Sequence, residues 1–140
     1  MVKNLLWLDD LRDPFQGEWI SKYAPAFDNG RGNIHWVKNA TEFKDWITKN
    51  GLPDMICFDH DLDTDHYTPE HLWDDYEASK AWQEAQDYKE ETGYDCAEWL
   101  VNYCLDNDKD LPGWVTHSFN PVGRDNINML LLNFLKFNLR

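Results

Sequence analysis

The stretch MICFDHDL, from Met55 to Leu62, decides how this chain folds. It begins as a short apolar run and stops abruptly at three ionisable side chains, Asp59, His60 and Asp61. An apolar run of this length, placed just after the turn-forming residues 52–54, is typical of a strand buried on both faces. Carboxylates that follow such a strand lie at the carboxyl edge of a sheet, where open α/β sheets bind ligands.

Two other stretches of the chain repeat this arrangement. The run LLWL is followed by Asp9 and Asp10, and the run GWVT is followed by His117 and Ser118. Because the carboxyl ends of parallel strands meet at one edge of a sheet, we expect the three strand ends to converge in one site.

The order of predicted elements favours an α/β fold with a short, parallel sheet of about four strands joined by crossover helices. Helices are expected from the apolar stripe that contains Phe43 and Ile47 up to about residue 50, over residues 94–106 and over residues 127–137. Asn39 or Thr41 could cap the first of these helices. Residues 15–33 contain Pro and Gly among polar and aromatic residues and are read mostly as loop. The remaining predicted strands lie at residues 3–9, 34–37 and 114–118.

An acidic insertion, residues 63–92, follows the third strand. It holds ten acidic residues and two lysines, a net charge of −8 within the chain's total of −13. Good helix formers over residues 77–91 predict that part of the insertion is helical. An insertion placed directly after a site-bearing strand could be a lid over the site, or a solvated helical excursion that packs its aromatic residues on the domain. The sequence leaves both open.

Composition limits the class of protein. The 140 residues suit one domain, residues 1–140. No apolar run approaches the roughly 20 residues that span a bilayer, and residues 1–4 do not resemble a signal peptide, so a cytoplasmic location is expected. The three cysteines lack metal-type spacing and are expected to be buried thiols. The acidic charge argues against duplex nucleic acid as a partner but not against a small phosphorylated ligand, and the oligomeric state stays open.

The two acidic clusters that end predicted strands suggest a metal site. Like charges this close are unfavourable unless something offsets them. A hard divalent cation, Mg²⁺ or Mn²⁺, would do so with oxygen ligands. Helix and turn capping is the ordinary role of a lone aspartate, but two clusters favour the metal site. The predicted ligands are Asp9, Asp10, Asp59 and Asp61.

Two histidines also follow strands that bear the predicted site. His60 lies between two aspartates and His117 ends another strand, so each could transfer protons near neutral pH or could instead ligate Mn²⁺ or Zn²⁺. We predict His60, His117 and Asp59 as the catalytic set. A guanidinium, hydroxyl or amide near a strand end and a helix start suits phosphate recognition, although turn and cap chemistry explains Ser118 and Asn120 equally well. The predicted phosphate contacts are Arg12, Ser118, Asn120 and Arg124.

Asp9-Asp10 and Asp59 resemble the acidic pair and the phosphoacceptor aspartate of response-regulator receiver domains, which have a three-layer, flavodoxin-like fold. Ser118, or less closely Thr116, matches the hydroxyl residue of those domains. The likeness makes Asp59 a candidate phosphoacceptor. This chain departs from the pattern, because its fourth predicted strand is followed by a helix and not by a fifth strand with a lysine.

A closer resemblance rests on four motifs in order: LWLDDLRDP at residues 6–14, FDHDL at 58–62, TGYDCA at 92–97 and HSFNPVG at 117–123. Together they resemble the cyclic-phosphate-processing receiver-like family of bacteria and phages. The resemblance implies a receiver-like fold and a metal-dependent phosphoesterase that processes a cyclic nucleotide or other cyclic-phosphate signal, in bacterial or phage conflict. The alternative is a non-catalytic module that sequesters a nucleotide, binds a protein or accepts phosphate on Asp59.

Overall fold

The computed structural model describes residues 3–63, 66–86 and 91–137. Its sheet has four strands, β1 (Asn4–Leu8), β2 (Asn33–Val37), β3 (Met55–Phe58) and β4 (Gly113–Thr116). The strand order is β2-β1-β3-β4 and every pair is parallel. The prediction of a short, four-stranded parallel sheet of receiver-like type is therefore confirmed. The central strands β1 and β3 are shorter than the predicted stretches, since each strand ends before its first aspartate.

Side chains of the two central strands alternate between two cores, as the two-residue period of a strand requires. Leu6 and Phe58 point into the larger core, which the helices over Ala40–Asn50, Gly93–Asn107 and Pro121–Phe137 cover. Leu5, Trp7 and Cys57 point to the other face, into a smaller core closed by the segment between β1 and β2. These layers hold the carboxyl ends of the strands at one edge.

The helices on the larger core begin at well-defined caps. Helix α2 (Ala40–Asn50) begins at Asn39, whose side chain accepts a hydrogen bond from the Glu42 amide, so Asn39 and not Thr41 is the cap. Helix α4 (Gly93–Asn107) begins with a reciprocal capping box between Thr92 and Asp95. Each cap satisfies amide groups that have no partner within the helix.

The prediction that residues 15–33 are mostly loop is wrong in part. The segment contains a short helix, α1 (Trp19–Tyr23), followed by a 3₁₀ turn over Pro25–Gly30. Ile20 and Phe27 are buried against Trp7, and this burial stabilises structure that local composition does not favour.

The last helix begins six residues earlier than predicted. Helix α5 spans Pro121–Phe137. The Asn120 side chain accepts a hydrogen bond from the Gly123 amide at 3.0 Å, and proline is favoured in the first position of a helix. Residues 120–123 are therefore the cap and the start of the first turn of α5.

The insertion contains a 3₁₀ turn (Glu70–Leu72) and helix α3 (Tyr76–Glu84), which begins at an Asp75 cap. The prediction of partial helix is thus confirmed up to Glu84, and residues 87–90 of the predicted helical stretch lie outside the described residues. No helix in the described part of the chain is long and apolar enough to cross a membrane.

Candidate active site

Three side chains that follow strand ends lie together at the carboxyl edge of the sheet. Ligand atoms of Asp9, Asp59 and His117 all lie within 4.8 Å of one another. The Asp59 amide donates to the Leu8 carbonyl at 3.0 Å, and the His117 amide donates to the Phe58 carbonyl at 2.9 Å. These bonds extend the sheet ladder by one residue, so strand register places the cluster.

Asp9 is buried and saturated with hydrogen bonds. Its Oδ1 accepts from the amides of Leu11 and Arg12, both at 2.9 Å. Its Oδ2 accepts from His117 Nε2 at 2.9 Å and Arg12 Nη1 at 3.0 Å. Burial raises the pKa of Asp9, but these hydrogen bonds outweigh burial and the pKa is lowered. Asp9 is therefore an anion at neutral pH.

His117 is buried between Trp7 and the carboxylates. Its ring stacks on Trp7 with centroids 4.0 Å apart. Burial lowers the pKa of His117 despite the hydrogen bond with Asp9. Its Nδ1 has no hydrogen-bond partner among the residues that the structure describes. A neutral imidazole with an unpaired nitrogen is the form of histidine that binds metal ions.

Asp59 is the member of the cluster whose charged form is disfavoured. Burial, followed by the charges of Asp9 and Asp61, raises the pKa of Asp59 to about 8, although Arg12 and a Ser118 hydrogen bond oppose the rise. A carboxylate in this setting gains from any positive charge beside it. Two carboxylates and a neutral imidazole within reach of one ion match the donor set of a divalent-metal site.

The side chain of Arg12 places a positive charge beside Asp9 and Asp59. Its Nη1 lies 3.0 Å from Asp9 Oδ2 and 3.4 Å from Asp59 Oδ2. The guanidinium carbon lies 4.3 Å from the centroid of the Phe119 ring and 5.5 Å from that of Trp19. Arg12 therefore bridges the two carboxylates in this structure while its flat face rests on aromatic rings.

His60 lies outside this cluster. Its Nδ1 bonds Asp61 Oδ1 at 2.8 Å, and its ring packs so closely on Gly123 that a β-carbon there would collide with it. Asn120 Nδ2 donates to the same oxygen of Asp61 at 3.0 Å. His60 and Asn120 thus hold the Asp61 carboxylate in one orientation, while the imidazole itself faces a separate groove beside α3 and α4.

A cavity of about 440 Å³ opens over the carboxylates. Its polar lining includes Arg12, Asp59 and Asp61. The insertion supplies one part of the wall and the loop between β4 and α5 another. The lining residues from these two segments are Tyr67, Thr68, Trp73, Ser79, Phe119, Asn120 and Pro121. The insertion therefore supplies part of the cavity lining, which fits either interpretation of its role.

Besides His60, two further predicted site residues, Asp10 and Arg124, are placed elsewhere, and Asp61, a predicted metal ligand, lines the cavity but is not one of the three clustered groups. Asp10 does not join the buried cluster. It accepts a hydrogen bond from the Tyr67 hydroxyl at 3.3 Å, and burial and the charge of Asp9 raise its pKa. Arg124 lies exposed on α5 with its Nε 3.7 Å from Asp125 Oδ1, and it does not line the cavity.

Ser118 and Asn120 are buried at the site, but both bond protein groups, and Asn120 caps α5.

Sequence reasoning missed the contribution of Phe119 and gave no individual role to Thr68, Trp73 or Ser79. The aromatic content of the insertion was the available signal for Trp73. Phe119 lies between two predicted site residues, His117 and Asn120, and that position was the signal that could have marked it.

No curated protein matches this sequence. Among solved structures, a fusion to the yeast Spc42 trimeric coiled coil matches at 13% identity and a TM-score of 0.41, covering 99% of this chain and 85% of that one. A likeness at this score supports no inference.

The comparison with family models is informative. The model of the cyclic-phosphate processing receiver domain matches residues 4–133, which includes all four strands and the described insertion. The chain therefore belongs to the cyclic-phosphate processing receiver domain family.

Proposed function

We propose that this protein is a metal-dependent phosphoesterase that opens the ring of a cyclic nucleotide or related cyclic phosphate. The observation that carries the proposal is the buried trio Asp9, Asp59 and His117, whose member Asp59 lines a cavity together with Arg12. Membership of a cyclic-phosphate processing family is consistent with it.

The trio would hold the divalent ion, with Mg²⁺ or Mn²⁺ favoured because two of its three donors are carboxylates. When bound, such an ion polarises a phosphate oxygen or lowers the pKa of a water molecule. His117 fits better as a ligand than as a proton carrier, since it is 1% exposed and does not line the cavity.

Arg12 and Asp61 supply the remaining chemistry from the protein. The Arg12 guanidinium in the cavity lining is suited to pair with a phosphate oxygen. Asp61, held by His60 and Asn120, has a carboxylate that can accept the proton of an attacking water. Water adds to phosphorus, one phosphate ester bond of the ring breaks, the proton taken from water passes to the leaving ring oxygen, and the product is a linear monoester.

The test is incubation of the purified protein with 2′,3′- and 3′,5′-cyclic mononucleotides and cyclic dinucleotides, with Mg²⁺ or Mn²⁺, followed by mass spectrometry. A gain of one water in the ligand, lost on chelation and in Asp59→Asn, is expected. Unchanged ligands throughout the panel would refute the proposal.

A second candidate is a binding module, and the position of Arg12 favours it. Because Arg12 bridges Asp9 and Asp59, the carboxylates are partly neutralised by the protein itself. Tight binding of an unchanged ligand would support this candidate. An acid-labile phosphate on Asp59 after incubation with acetyl phosphate would instead support phosphoacceptor signalling. A role in bacterial or phage conflict stays a prediction from the family resemblance.

A further inference from the structure

Part of the cavity wall is formed by two aromatic rings with large exposed surfaces. Trp73 comes from the insertion and Phe119 from the loop between β4 and α5, and both line the cavity. Trp73 is 62% exposed and Phe119 is 63% exposed. Large apolar side chains that stay this exposed within a cavity mark a surface for binding.

Both rings are held in place although they are exposed. The Trp73 indole Nε1 donates to the Thr68 carbonyl at 2.7 Å, which fixes the ring on the insertion. The Phe119 ring lies against the Arg12 guanidinium, 4.3 Å from its central carbon. Aromatic faces that are positioned in advance lose little conformational freedom when a flat ligand stacks on them.

The charge of the cavity limits how many phosphates it can take. Arg12 is the single basic side chain among the described residues that line it, and it stands beside Asp59 and Asp61. A di- or triphosphate, or a ligand with two phosphodiesters, would bring further negative charge to a surface that already carries carboxylates. A volume of about 440 Å³ suits one small molecule with a ring system attached.

From these observations we infer that the cavity has a nucleobase subsite formed by Trp73 and Phe119. The ligand is a mononucleoside cyclic phosphate whose base stacks on these rings and whose single phosphate lies at Arg12. The phosphate end of this inference rests on the proposed function, whereas the base end rests on the aromatic wall alone. Stacking reads the flat face of a base, so purines and pyrimidines are both accepted, purines more tightly because of their larger face.

The test compares ligands that differ only in the base. Calorimetry, in EDTA and again in MnCl₂, measures the binding of 2′,3′-cyclic AMP, 3′,5′-cyclic AMP, the base-free methyl riboside 2,3-cyclic phosphate and cyclic di-AMP. The cyclic mononucleotide is expected to bind about 5-fold to 150-fold more tightly than the base-free compound, and cyclic di-AMP is expected to bind more weakly.

Variants assign the difference to the two rings. Trp73→Ala and Phe119→Leu should each remove most of the preference for the base, while Trp73→Phe should keep most of it. Phe15→Leu is the matched control, because Phe15 is 67% exposed and does not line the cavity. Circular dichroism checks that each variant is folded.

Two results would overturn the base subsite. The first is equal affinity for the base-free compound and the cyclic mononucleotide in both buffers. The second is a preference for the base that persists both in Trp73→Ala and in Phe119→Leu. The mass of the recovered ligand separates these results from a failure of the proposed function. A base-dependent affinity with no hydrolysis supports the subsite and refutes the esterase. Hydrolysis with no difference in affinity between ligands with and without a base would support the esterase and refute the subsite.

Discussion

The buried trio Asp9, Asp59 and His117 lies beneath the cavity and is called its floor, although only Asp59 lines the cavity; this floor and the cavity wall are held in place in different ways. Asp9, Asp59 and His117 follow parallel strands, and backbone hydrogen bonds that continue the sheet ladder fix them. Trp73 and Thr68 belong to the insertion, where side-chain hydrogen bonds such as Gln83 Nε2 to Thr68 Oγ1 at 3.2 Å hold the wall together. The floor therefore depends on the register of the whole sheet, whereas the wall depends on contacts that single substitutions can remove. We expect changes to the floor to abolish the reaction and changes to the wall to alter which ligand is chosen.

The largest expected effect separates Asp9, which belongs to the floor, from the adjacent Asp10, which does not. Asp9→Asn should lower the rate of cyclic-phosphate opening by about 1,000-fold, because loss of a metal-binding carboxylate removes several kcal/mol of transition-state stabilisation. Asp10→Asn is the matched control and should cost less than about 10-fold, since Asp10 bonds Tyr67 outside the trio. Initial rates followed by mass spectrometry measure both. Equal losses in the two variants would contradict the assignment of the floor.

The second prediction concerns the point where the insertion rejoins the floor. A β-carbon on Gly93 would collide with the Asp59 carbonyl oxygen, so Gly93→Ala should lower the free energy of unfolding by about 1–3 kcal/mol. Gly113→Ala, whose β-carbon would lie 3.6 Å from the nearest atom, should change it by less than about 0.5 kcal/mol. Urea denaturation monitored by tryptophan fluorescence gives both values. If both substitutions are neutral, α4 does not press on the floor as closely as the structure indicates.

The third prediction uses the raised pKa of Asp59. Because the pKa of Asp59 is about 8 in the folded protein and about 4 in an unfolded chain, the folded state binds this proton more tightly. In EDTA, the free energy of unfolding should therefore fall as pH rises from 5 to 8, relative to Asp59→Asn, which cannot ionise. Near pH 5 the two proteins should be about equally stable, and at pH 8 Asp59→Asn should be more stable by at least about 1.4 kcal/mol. If the wild-type protein instead became more stable than Asp59→Asn as the pH rises from 5 to 8, the neighbours of Asp59 would stabilise its charged form, and its pKa would not be raised.

The smallest effect tests the bridge made by Arg12. Arg12→Gln should raise the affinity for Mn²⁺ by about fivefold to tenfold, because Arg12 competes with a cation for Asp9 and Asp59. The same variant should bind the cyclic mononucleotide more weakly, because it loses the phosphate contact. Calorimetry with each ligand measures the two changes, and Lys22→Gln, a charge removal on α1 at a residue that does not line the cavity, is the control. Weaker binding of both ligands would mean that Arg12 supports the site instead of competing for it.

The sequence was sufficient to predict the floor. Apolar runs that end at aspartates or histidine give the strand ends, and parallel strands bring those ends to one edge. This is why Asp9, Asp59 and His117 are found together as expected. His60, which the sequence predicts as a catalytic residue, lines a separate groove, whereas its neighbours Asp59 and Asp61 line the cavity.

The rest of the cavity lining was less predictable because long-range contacts determine it. Arg12 reaches Asp59 across 47 residues, and Gln83 of the insertion bonds Asn120 across 37. No local pattern encodes such pairs. The helix period explains why Arg124 is exposed. Gly123 and Ile127 lie on the buried side of α5. Arg124 follows Gly123 and therefore lies about 100° around the helix, on the side that faces solvent.

The central claim is that the three strand ends form one metal site. Titration of Mn²⁺ followed by electron paramagnetic resonance tests it directly, in the wild-type protein and in Asp9→Asn, Asp59→Asn and Asp10→Asn. We predict one bound ion per wild-type and Asp10→Asn chain, with affinity reduced at least about 10-fold in Asp9→Asn and Asp59→Asn. Absence of a stoichiometric site in the wild type, or equal affinity in all four proteins, would contradict the claim.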